Sequence, residues 1–317
     1  NIKLKLITIK KNFNGKMKIY KNTNLDKKHH NGVIAIGNFD GLHLGHQKVI
    51  NEAKKKAKKN KLPFGIMTFE PVPVMFFNSN IKNHRINSLT QKKLQLKKFK
   101  LDFLIIIKFN KKFSSLTAEQ FIVKIIDYKT KCRFLYVSKN FKFGHKRKGN
   151  IQMLQKYEKL HDFKTIITRP YKKDKKIISS TLIRKKITSG KIREANKLLN
   201  REWEIKGKVI KGEKRGRKIG FPTCNLKLSD YIIPYLGVYA VTINGLNFCK
   251  KGIANIGYRP TFNGKNLLLE TNIFGINKNL YNKEIGISFR KFIRGEKKFK
   301  NLEHLKKQIK IDIKIAK

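Results

Sequence analysis

Two histidines three residues apart, His43 and His46, close the stretch Val33-Ile34-Ala35-Ile36-Gly37-Asn38-Phe39-Asp40-Gly41-Leu42-His43-Leu44-Gly45-His46. On a first helical turn that spacing points both rings the same way. Gly37, Gly41 and Gly45 let the backbone approach a ligand, and the unpaired amides of a helix start favour phosphate. Imidazoles and helix amides around one phosphate suit phosphoryl or nucleotidyl transfer, in which charge must be stabilised. Taken alone, the pair also fits a solvated or metal-binding His-x-x-His. A second group follows in Ile178-Ser179-Ser180-Thr181-Leu182-Ile183-Arg184. Ser179, Ser180 and Thr181 are helix-capping residues, and Arg184 stands one turn in. A third lies in Gly212-Glu213-Lys214-Arg215-Gly216-Arg217-Lys218-Ile219-Gly220-Phe221-Pro222-Thr223-Cys224-Asn225-Leu226. Gly212, Gly216 and Gly220 with Arg215 and Arg217 read as a flexible basic loop. Pro222 then stiffens the chain, and Thr223 and Asn225 offer a hydroxyl and an amide two residues apart, able to hold a metal-bound phosphate.

The elements that must position these groups follow from hydrophobic periodicity. Val33 to Ile36 is a buried strand running through the glycine turn into a helix with Val49, Ile50, Ala53 and Ala57 on one face. Further strands are expected at Pro63 to Phe69, Phe103 to Ile107, Arg133 to Val137 and Thr165 to Thr168, with a leading strand within residues 1 to 32. Helices are expected at Leu89 to Lys98 and at Phe113 to Ile126, the latter with Thr117 as N-cap. Pro71 and Pro73 predict a rigid, non-helical loop after the second strand. Strands alternating with helices imply a parallel sheet with ligands at the carboxyl ends of its strands, where His43, His46, the Glu70-Pro71 loop and Asn140 would gather. A basic helical segment, 185 to 202, joins this half to a region of different texture. There, short runs at 204–209, 237–243, 250–256, 267–273 and 285–289 suggest an antiparallel barrel or sandwich, and Leu302 to Ile309 closes as a helix.

The stretch Gly37-Asn38-Phe39-Asp40-Gly41-Leu42-His43-Leu44-Gly45-His46 resembles the nucleotidyltransferase superfamily with an HxGH motif, and within it the flavin branch, bacterial FMN adenylyltransferase. Ile178 to Arg184 is similar to that superfamily's second phosphate motif, and Asn140-Phe141-Lys142-Phe143-Gly144 to an element between the two. Pro222 to Asn225 resembles the riboflavin kinase motif P-T-A-N, with Cys224 in the alanine position. Gly237 to Ala240, Asn255-Ile256-Gly257-Tyr258-Arg259-Pro260-Thr261-Phe262, Glu270, Leu280-Tyr281 and Ile293-Arg294-Gly295-Glu296 continue the likeness. The resemblance implies a bifunctional riboflavin kinase and FMN adenylyltransferase. Its fold would be a Rossmann-like α/β nucleotidyltransferase domain with a parallel sheet, residues 1–186. An antiparallel β-barrel kinase domain with a carboxyl-terminal helix, residues 187–317, would follow.

Under that resemblance His43, His46 and Arg184 carry adenylyl transfer. Gly37, Asn38, Phe39, Asp40, Gly45, Asn140, Ser179, Ser180 and Thr181 line its nucleotide site. Gly212, Arg215, Gly216, Arg217, Gly220, Pro222, Thr223, Asn225, Asn255, Arg259 and Arg294 serve the kinase, with Thr223 and Asn225 as magnesium ligands. Glu270, the one acid in Leu267-Leu268-Leu269-Glu270-Thr271-Asn272-Ile273, is the expected base; by itself it reads as a solvent-facing strand glutamate. The chemistry is consistent. A phosphate monoester is already ionised at pH 7 and needs no base to attack the α-phosphorus of ATP, whereas riboflavin's hydroxyl must lose a proton. Two positions depart from the family pattern: Asn282 where glycine follows Leu-Tyr, and Val72 where a histidine is common.

Composition bounds the alternatives. The chain has 317 residues and a formal charge of +55, which by itself suggests a nucleic-acid partner. Lysine is abundant in every segment, however, so the charge reads as compositional drift and no nucleic-acid partner is expected. ATP, riboflavin and FMN are the expected ligands. Three separated cysteines, Cys132, Cys224 and Cys249, fit reduced thiols in the cytoplasm; neither a membrane span nor a signal peptide is evident. Two other classes stay open. One is a basic RNA-binding protein on a vestigial nucleotidyltransferase fold. The other is an enzyme with one live site, or with another phosphorylated substrate at the histidine motif.

Overall fold

The computed structural model describes residues 17–317 apart from Ser79, Lys82, Asp174, Lys175, Glu213, Lys214, Ser229, Asp230, Leu246, Phe262, Asn263 and Asn277. For Arg215, Lys218, Arg259, Pro260, Thr261, Gly264, Lys265 and Asn266 the backbone alone is described. Of the expected motif residues, Phe262 therefore lies outside the described residues, as do the side chains of Arg215 and Arg259. The described residues form two compact units. The first runs through Asn38 and adds Gln47–Phe76 and Lys93–Pro170; the second comprises Phe39–His46, Phe77–Lys92 and Tyr171–Lys317.

In the first unit β1 (Lys18–Tyr20), β2 (Val33–Ile36), β3 (Phe64–Glu70), β4 (Phe103–Lys108), β5 (Phe134–Ser138) and β6 (Lys164–Thr168) make one sheet in the order β1-β4-β3-β2-β5-β6. Every pairing is parallel. All four residues of β2 are buried, as expected of a strand covered on both faces. The helices through residue 157 are α1 (Leu44–Asn60), α2 (Pro73–Phe77), α3 (Leu89–Lys97), α4 (Lys111–Ser114), α5 (Ala118–Gln120) and α6 (Ile151–Tyr157), of which Leu44–His46, Phe77 and Leu89–Lys92 belong to the second unit. Ile50, Ala53 and Ala57 are the buried face of α1.

The structure departs from two local expectations. Pro73 opens α2, because a first-turn proline lacks only an N–H that has no intrahelical acceptor there. The helix expected from Phe113 to Ile126 is broken: α4 ends at Ser114, and Thr117 caps a fresh start. Thr117 Oγ1 accepts from the Gln120 N–H, and the Gln120 side chain accepts from the Thr117 N–H. This reciprocal capping box leads into a π-helical run, Phe121–Lys129.

The second unit opens with an exposed ribbon, β7 (Lys172–Lys173) with β8 (Lys176–Ile177), then α7 (Ser180–Thr188) and α8 (Ile192–Leu199). The single helical segment expected over 185–202 is thus two helices, divided at Gly190, whose φ of 72° favours glycine. β9 (Trp203–Lys208), α9 (Arg215–Lys218), β10 (Cys224–Lys227), β11 (Gly237–Asn244), β12 (Cys249–Thr261), β13 (Gly264–Ile273), β14 (Glu284–Arg294) and α10 (Leu302–Ala316) complete it. The six long strands form an antiparallel sheet in the order β10-β13-β12-β11-β14-β9. Ile210, just beyond β9, donates its N–H to the Asn225 carbonyl of β10 at 2.9 Å, so the two edges nearly close a barrel. Sequence periodicity missed β10, which is only four residues long.

One core runs through this unit: Ile86, Ile178, Ile183, Leu199, Trp203, Leu226, Tyr239, Ile256, Leu269 and Phe289 are among its members. Trp203 stacks tilted on Phe289 with centroids 4.8 Å apart, and Tyr239 meets the same ring edge-on at 5.2 Å. On the other face of the sheet, α10 covers Val238, Ala240 and Ile253.

Candidate active sites

The histidine motif is a wound loop. Phe39 (φ 46°), Gly41 (φ 82°) and Leu42 (φ 41°) all adopt positive φ, a conformation that costs a non-glycine residue about 1–3 kcal/mol and persists only where surroundings over-determine it. Those surroundings centre on Asp40, which is buried. Its carboxylate accepts from the Ile86 N–H at 3.1 and 3.2 Å, from the Asn87 N–H at 3.3 Å and from Arg184 Nη2 at 2.5 Å. Ser180 Oγ donates to the Asp40 carbonyl at 2.8 Å, and Ser179 caps α7 by accepting from the Leu182 N–H. Asp40 therefore ties the loop to the serine-arginine motif, 144 residues away in the chain.

On this loop His43 and His46 stack, ring centroids 3.6 Å apart and 18° from parallel. His43 Nδ1 accepts the His46 N–H at 3.2 Å, so a neutral His43 carries its proton on Nε2. Burial, helped by the charges of Arg201 and Arg184 and opposed by Asp40, brings His43 down to about 4. Burial also holds His46 well below the usual imidazole range, with His43, Lys92, Arg184 and Arg201 adding to the effect. His46 Nδ1 is buried and has no hydrogen-bond partner among the described residues. The free loop thus holds two uncharged imidazoles in contact, where two imidazolium ions would repel. Gly45 leaves room for the His43 ring, since a Cβ there would sit 3.1 Å from two of its atoms.

Arg184 does not stand open. Its Nε donates to the His84 carbonyl at 2.9 Å and its Nη2 to Asp40. Of the other expected adenylyltransferase residues, Phe39 meets His46 edge-on at 5.2 Å, and Thr181 is exposed in the first turn of α7. Gly37 and Asn38 belong to the first unit, where the Gly37 N–H bonds the Met67 carbonyl and the Asn38 carbonyl accepts from Thr68 Oγ1. Asn140 is exposed just past the carboxyl end of β5, while Phe141 and Phe143 stack nearby and Phe143 joins the core. Val72, one of the two departures, is simply buried. Asn282, the other, takes φ 62°, the left-handed turn conformation that asparagine tolerates in place of glycine.

The kinase motif divides between two faces of the sheet. Directly opposed residues of antiparallel strands share a face. Asn225 lies opposite Glu270, and Glu270 opposite Asn255, so the three form a row across β10, β13 and β12. Their chain neighbours Leu226, Leu269, Ala254 and Ile256 point into the core. Asn225 is 7% exposed, and its Oδ1 is buried without a hydrogen-bond partner among the described residues. Gly212 crosses above it so closely that a Cβ there would overlap the Asn225 amide.

A cavity of about 320 Å³ opens at the end of β10, lined by Arg217, Pro222, Thr223, Thr271, Lys278 and Tyr281 among others. Gly216 receives the returning loop, its carbonyl accepting from the Phe221 N–H at 2.8 Å, and Gly220 turns it with φ 89°. Thr223 lines the cavity, two residues before Asn225 of the row. Arg294 is not brought to the cavity: Nε and Nη2 grip the buried carboxylate of Asp312 at 2.8 to 3.1 Å, anchoring α10.

Several residues here gave no sequence signal. Asn272 donates Nδ2 to the Pro222 carbonyl at 2.7 Å and holds the motif loop from β13. Thr271 is fully buried, lines the cavity, and has an Oγ1 without a hydrogen-bond partner among the described residues. Alternation from Glu270 would have set Thr271 on the opposite face, but Lys278 is one lysine among many. Arg201 and Asn87, beside the histidine loop, stand in no motif.

The family described as FAD synthetase matches residues 25–182, and that described as riboflavin kinase matches residues 199–317. The bifunctional riboflavin kinase/FMN adenylyltransferase of Buchnera aphidicola subsp. Schizaphis graminum is 42% identical, covering 93% of this chain and 96% of its own length. The protein of the same description from Bacillus subtilis is 38% identical over 88% of this chain and 90% of its own length. That from Escherichia coli K12 is 35% identical with the same coverage. Among solved structures, a crystal structure described as a macrolide-efflux protein from Streptococcus pneumoniae superposes with a TM-score of 0.83 at 30% identity, covering 95% of this chain and 98% of that one. No described helix of the present chain is long and apolar enough to cross a membrane. With both family segments present in order and whole-length relatives at this level of identity, the chain belongs to the bifunctional riboflavin kinase/FMN adenylyltransferase family.

Proposed function

We propose that the chain makes FAD in two steps at two sites: ATP phosphorylates riboflavin beside β10 and β13, and the histidine loop then transfers AMP from a second ATP to FMN, releasing pyrophosphate. We assign the first chemistry to residues 187–317 and the second to residues 1–186, at work in the cytoplasm, where the three free cysteines would stay reduced. The observation that carries this reading is the stacked, uncharged His43–His46 pair on a loop clamped to Arg184. A nucleotide's α-phosphate needs donors that are already in place and cost no reorganisation. His43 Nε2–H is such a donor. An arriving polyphosphate supplies the negative charge that favours protonation of the imidazoles, whose low proton affinity in the free loop comes first from burial. Arg184, tethered by Asp40, completes the cationic wall, and FMN's phosphate attacks without a base.

In the kinase step Glu270 takes the proton of riboflavin's 5′-hydroxyl. By strand register it stands in one row with Asn225 and Asn255. Arg217 and Lys278 in the cavity wall suit a nucleotide's phosphates. Magnesium fits the residues present: Asn225 Oδ1 is a buried oxygen without a hydrogen-bond partner among the described residues, and with Thr223 it offers the hard, neutral ligands that leave coordination positions for phosphate. Thr223 and Asn225 would hold the ion, which when bound neutralises phosphate charge.

Purified protein incubated with riboflavin, ATP and magnesium, followed by chromatography of the flavins, tests the reading. His46→Ala is expected to stop at FMN. Glu270→Ala is expected to leave riboflavin unconverted while still turning supplied FMN into FAD. A variant that silences both steps equally would contradict two separate sites.

A further inference from the structure

Arg201 lies in the segment that matches riboflavin kinase, yet its guanidinium grips the histidine loop. Helix α8 ends at Asn200 in the left-handed conformation, φ 56° and ψ 32°, and this turn directs the next side chain inward. Nη2 donates to the Gly41 carbonyl at 2.8 Å and to Asn87 Oδ1 at 2.9 Å, and Nη1 to the Leu199 carbonyl at 3.2 Å. The Asn87 N–H in turn reaches Asp40. Gly41 is packed on Ile86 and Leu199, within 3.0 to 3.3 Å of where its Cβ would be, and the Ile86 carbonyl accepts from Trp203 Nε1 at 2.9 Å. All these groups belong to the second compact unit.

We propose that Arg201 is a positioning residue for adenylyl transfer: a side chain from the kinase-family segment that fixes the Asp40-Gly41-Leu42 turn and so the placement of His43 and His46. This rests on the reading of the histidine loop as the adenylylation site. A guanidinium fork suits that role. It bridges carbonyl oxygens of Gly41, Asn87 and Leu199 with one rigid plane, which an ammonium cannot do. The Gly41 carbonyl sits amid three positive-φ residues, where an untied backbone would relax. Burial lowers Arg201 to about 10, with Glu204 and Asp40 opposing, so it keeps its charge at neutral pH.

The test uses the full chain, with the two activities assayed separately: FMN plus ATP, and riboflavin plus ATP. A misplacement of about 1 Å costs up to a hundredfold in rate. Arg201→Met is therefore expected to lower the adenylylation kcat roughly ten- to a hundredfold, leaving KM for ATP and FMN within about threefold, as for a residue whose bonds are to the loop and its supports. The kinase kcat is expected to stay within about twofold. Arg201→Lys, which keeps the charge and the stem, guards against loss of fold and is expected to recover part of the adenylylation loss. Asn87→Ala combined with Arg201→Met is expected to be little worse than Arg201→Met alone, as for groups acting as one unit. Parallel loss of both activities, an unchanged adenylylation kcat, or a loss carried by KM would each overturn the proposal. His46→Ala serves as the control for the underlying reading: if it retains adenylylation, that reading fails independently of how the Arg201 variants behave.

Discussion

Replacing Asp40 by asparagine is the most informative single perturbation, because the side chain keeps its size and loses only its charge and one acceptor. The aspartate is 2% exposed and serves two backbone amides and one guanidinium. In Asp40→Asn one oxygen remains to accept, and the new amide donates toward groups that are themselves donors. Arg184, 17% exposed at its side chain, would be left with a buried charge facing no anion, a loss of about 3–5 kcal/mol. A buried N–H left without an acceptor costs about 1–3 kcal/mol and is part of that figure.

Trp203 is the only tryptophan in the chain, and its Nε1 bonds the carbonyl of Ile86, the residue whose N–H Asp40 accepts. Its fluorescence during urea unfolding therefore reports the affected unit directly. With a slope of about 3 kcal/mol per molar urea, the midpoint should fall by roughly 1–1.7 M. Arg184→Gln should also destabilise, and the double variant should recover about 2 kcal/mol of the summed losses, as expected for partners in direct contact. A midpoint shift under about 0.3 M, or additive losses, would refute the claim that this buried pair holds the loop.

Three further outcomes follow from individual contacts. Gly45→Ala would push a methyl into the His43 ring and against the Ile178 carbonyl, 3.3 Å from the new carbon; adenylylation should fall at least tenfold with kinase turnover unchanged, as measured by flavin chromatography. Asn272→Leu removes the donor to Pro222, worth about 1 kcal/mol, so KM for ATP in the kinase assay should rise roughly fivefold; an unchanged KM would show that the loop is held elsewhere. His43 titrates at about 4 when folded against about 6.5 in an unfolded chain. Between those values the unfolded chain binds more protons, so this contribution is fully present above pH 6.5 and is lost as pH falls towards 4. It amounts to about 3 kcal/mol, and the fall in thermal midpoint between pH 7 and pH 4.5 should be smaller in His43→Gln than in the parent; identical falls would exclude it.

Local elements and the types of chemistry were legible along the chain. Unbroken apolar runs such as Val33 to Ile36 can only be buried strands, and Thr117 with Gln120 carries its own start signal. Contiguous motifs likewise name their chemistry, because groups that must surround one phosphate stand close in sequence when a turn presents them. Breaks between adjacent helices were less legible. Whether 185–202 is one helix or two depends on the backbone of Gly190, and whether Pro73 starts or stops a helix depends on its place in the turn.

Tertiary structure alone decided which distant groups meet. Asp40 with Arg184, Arg201 with Gly41 and Asn272 with Pro222 join residues 144, 160 and 50 positions apart, and no periodicity encodes such pairs. The register of β10 against β13, and of β13 against β12, set Asn225, Glu270 and Asn255 in one row; a slip of one residue would have turned each to the opposite face. Side-chain chemistry is a property of the residue, and a motif displays it. Position relative to a partner far along the chain is a property of the packed core, and it exists only once Ile86, Leu199 and Trp203 have closed around the loop.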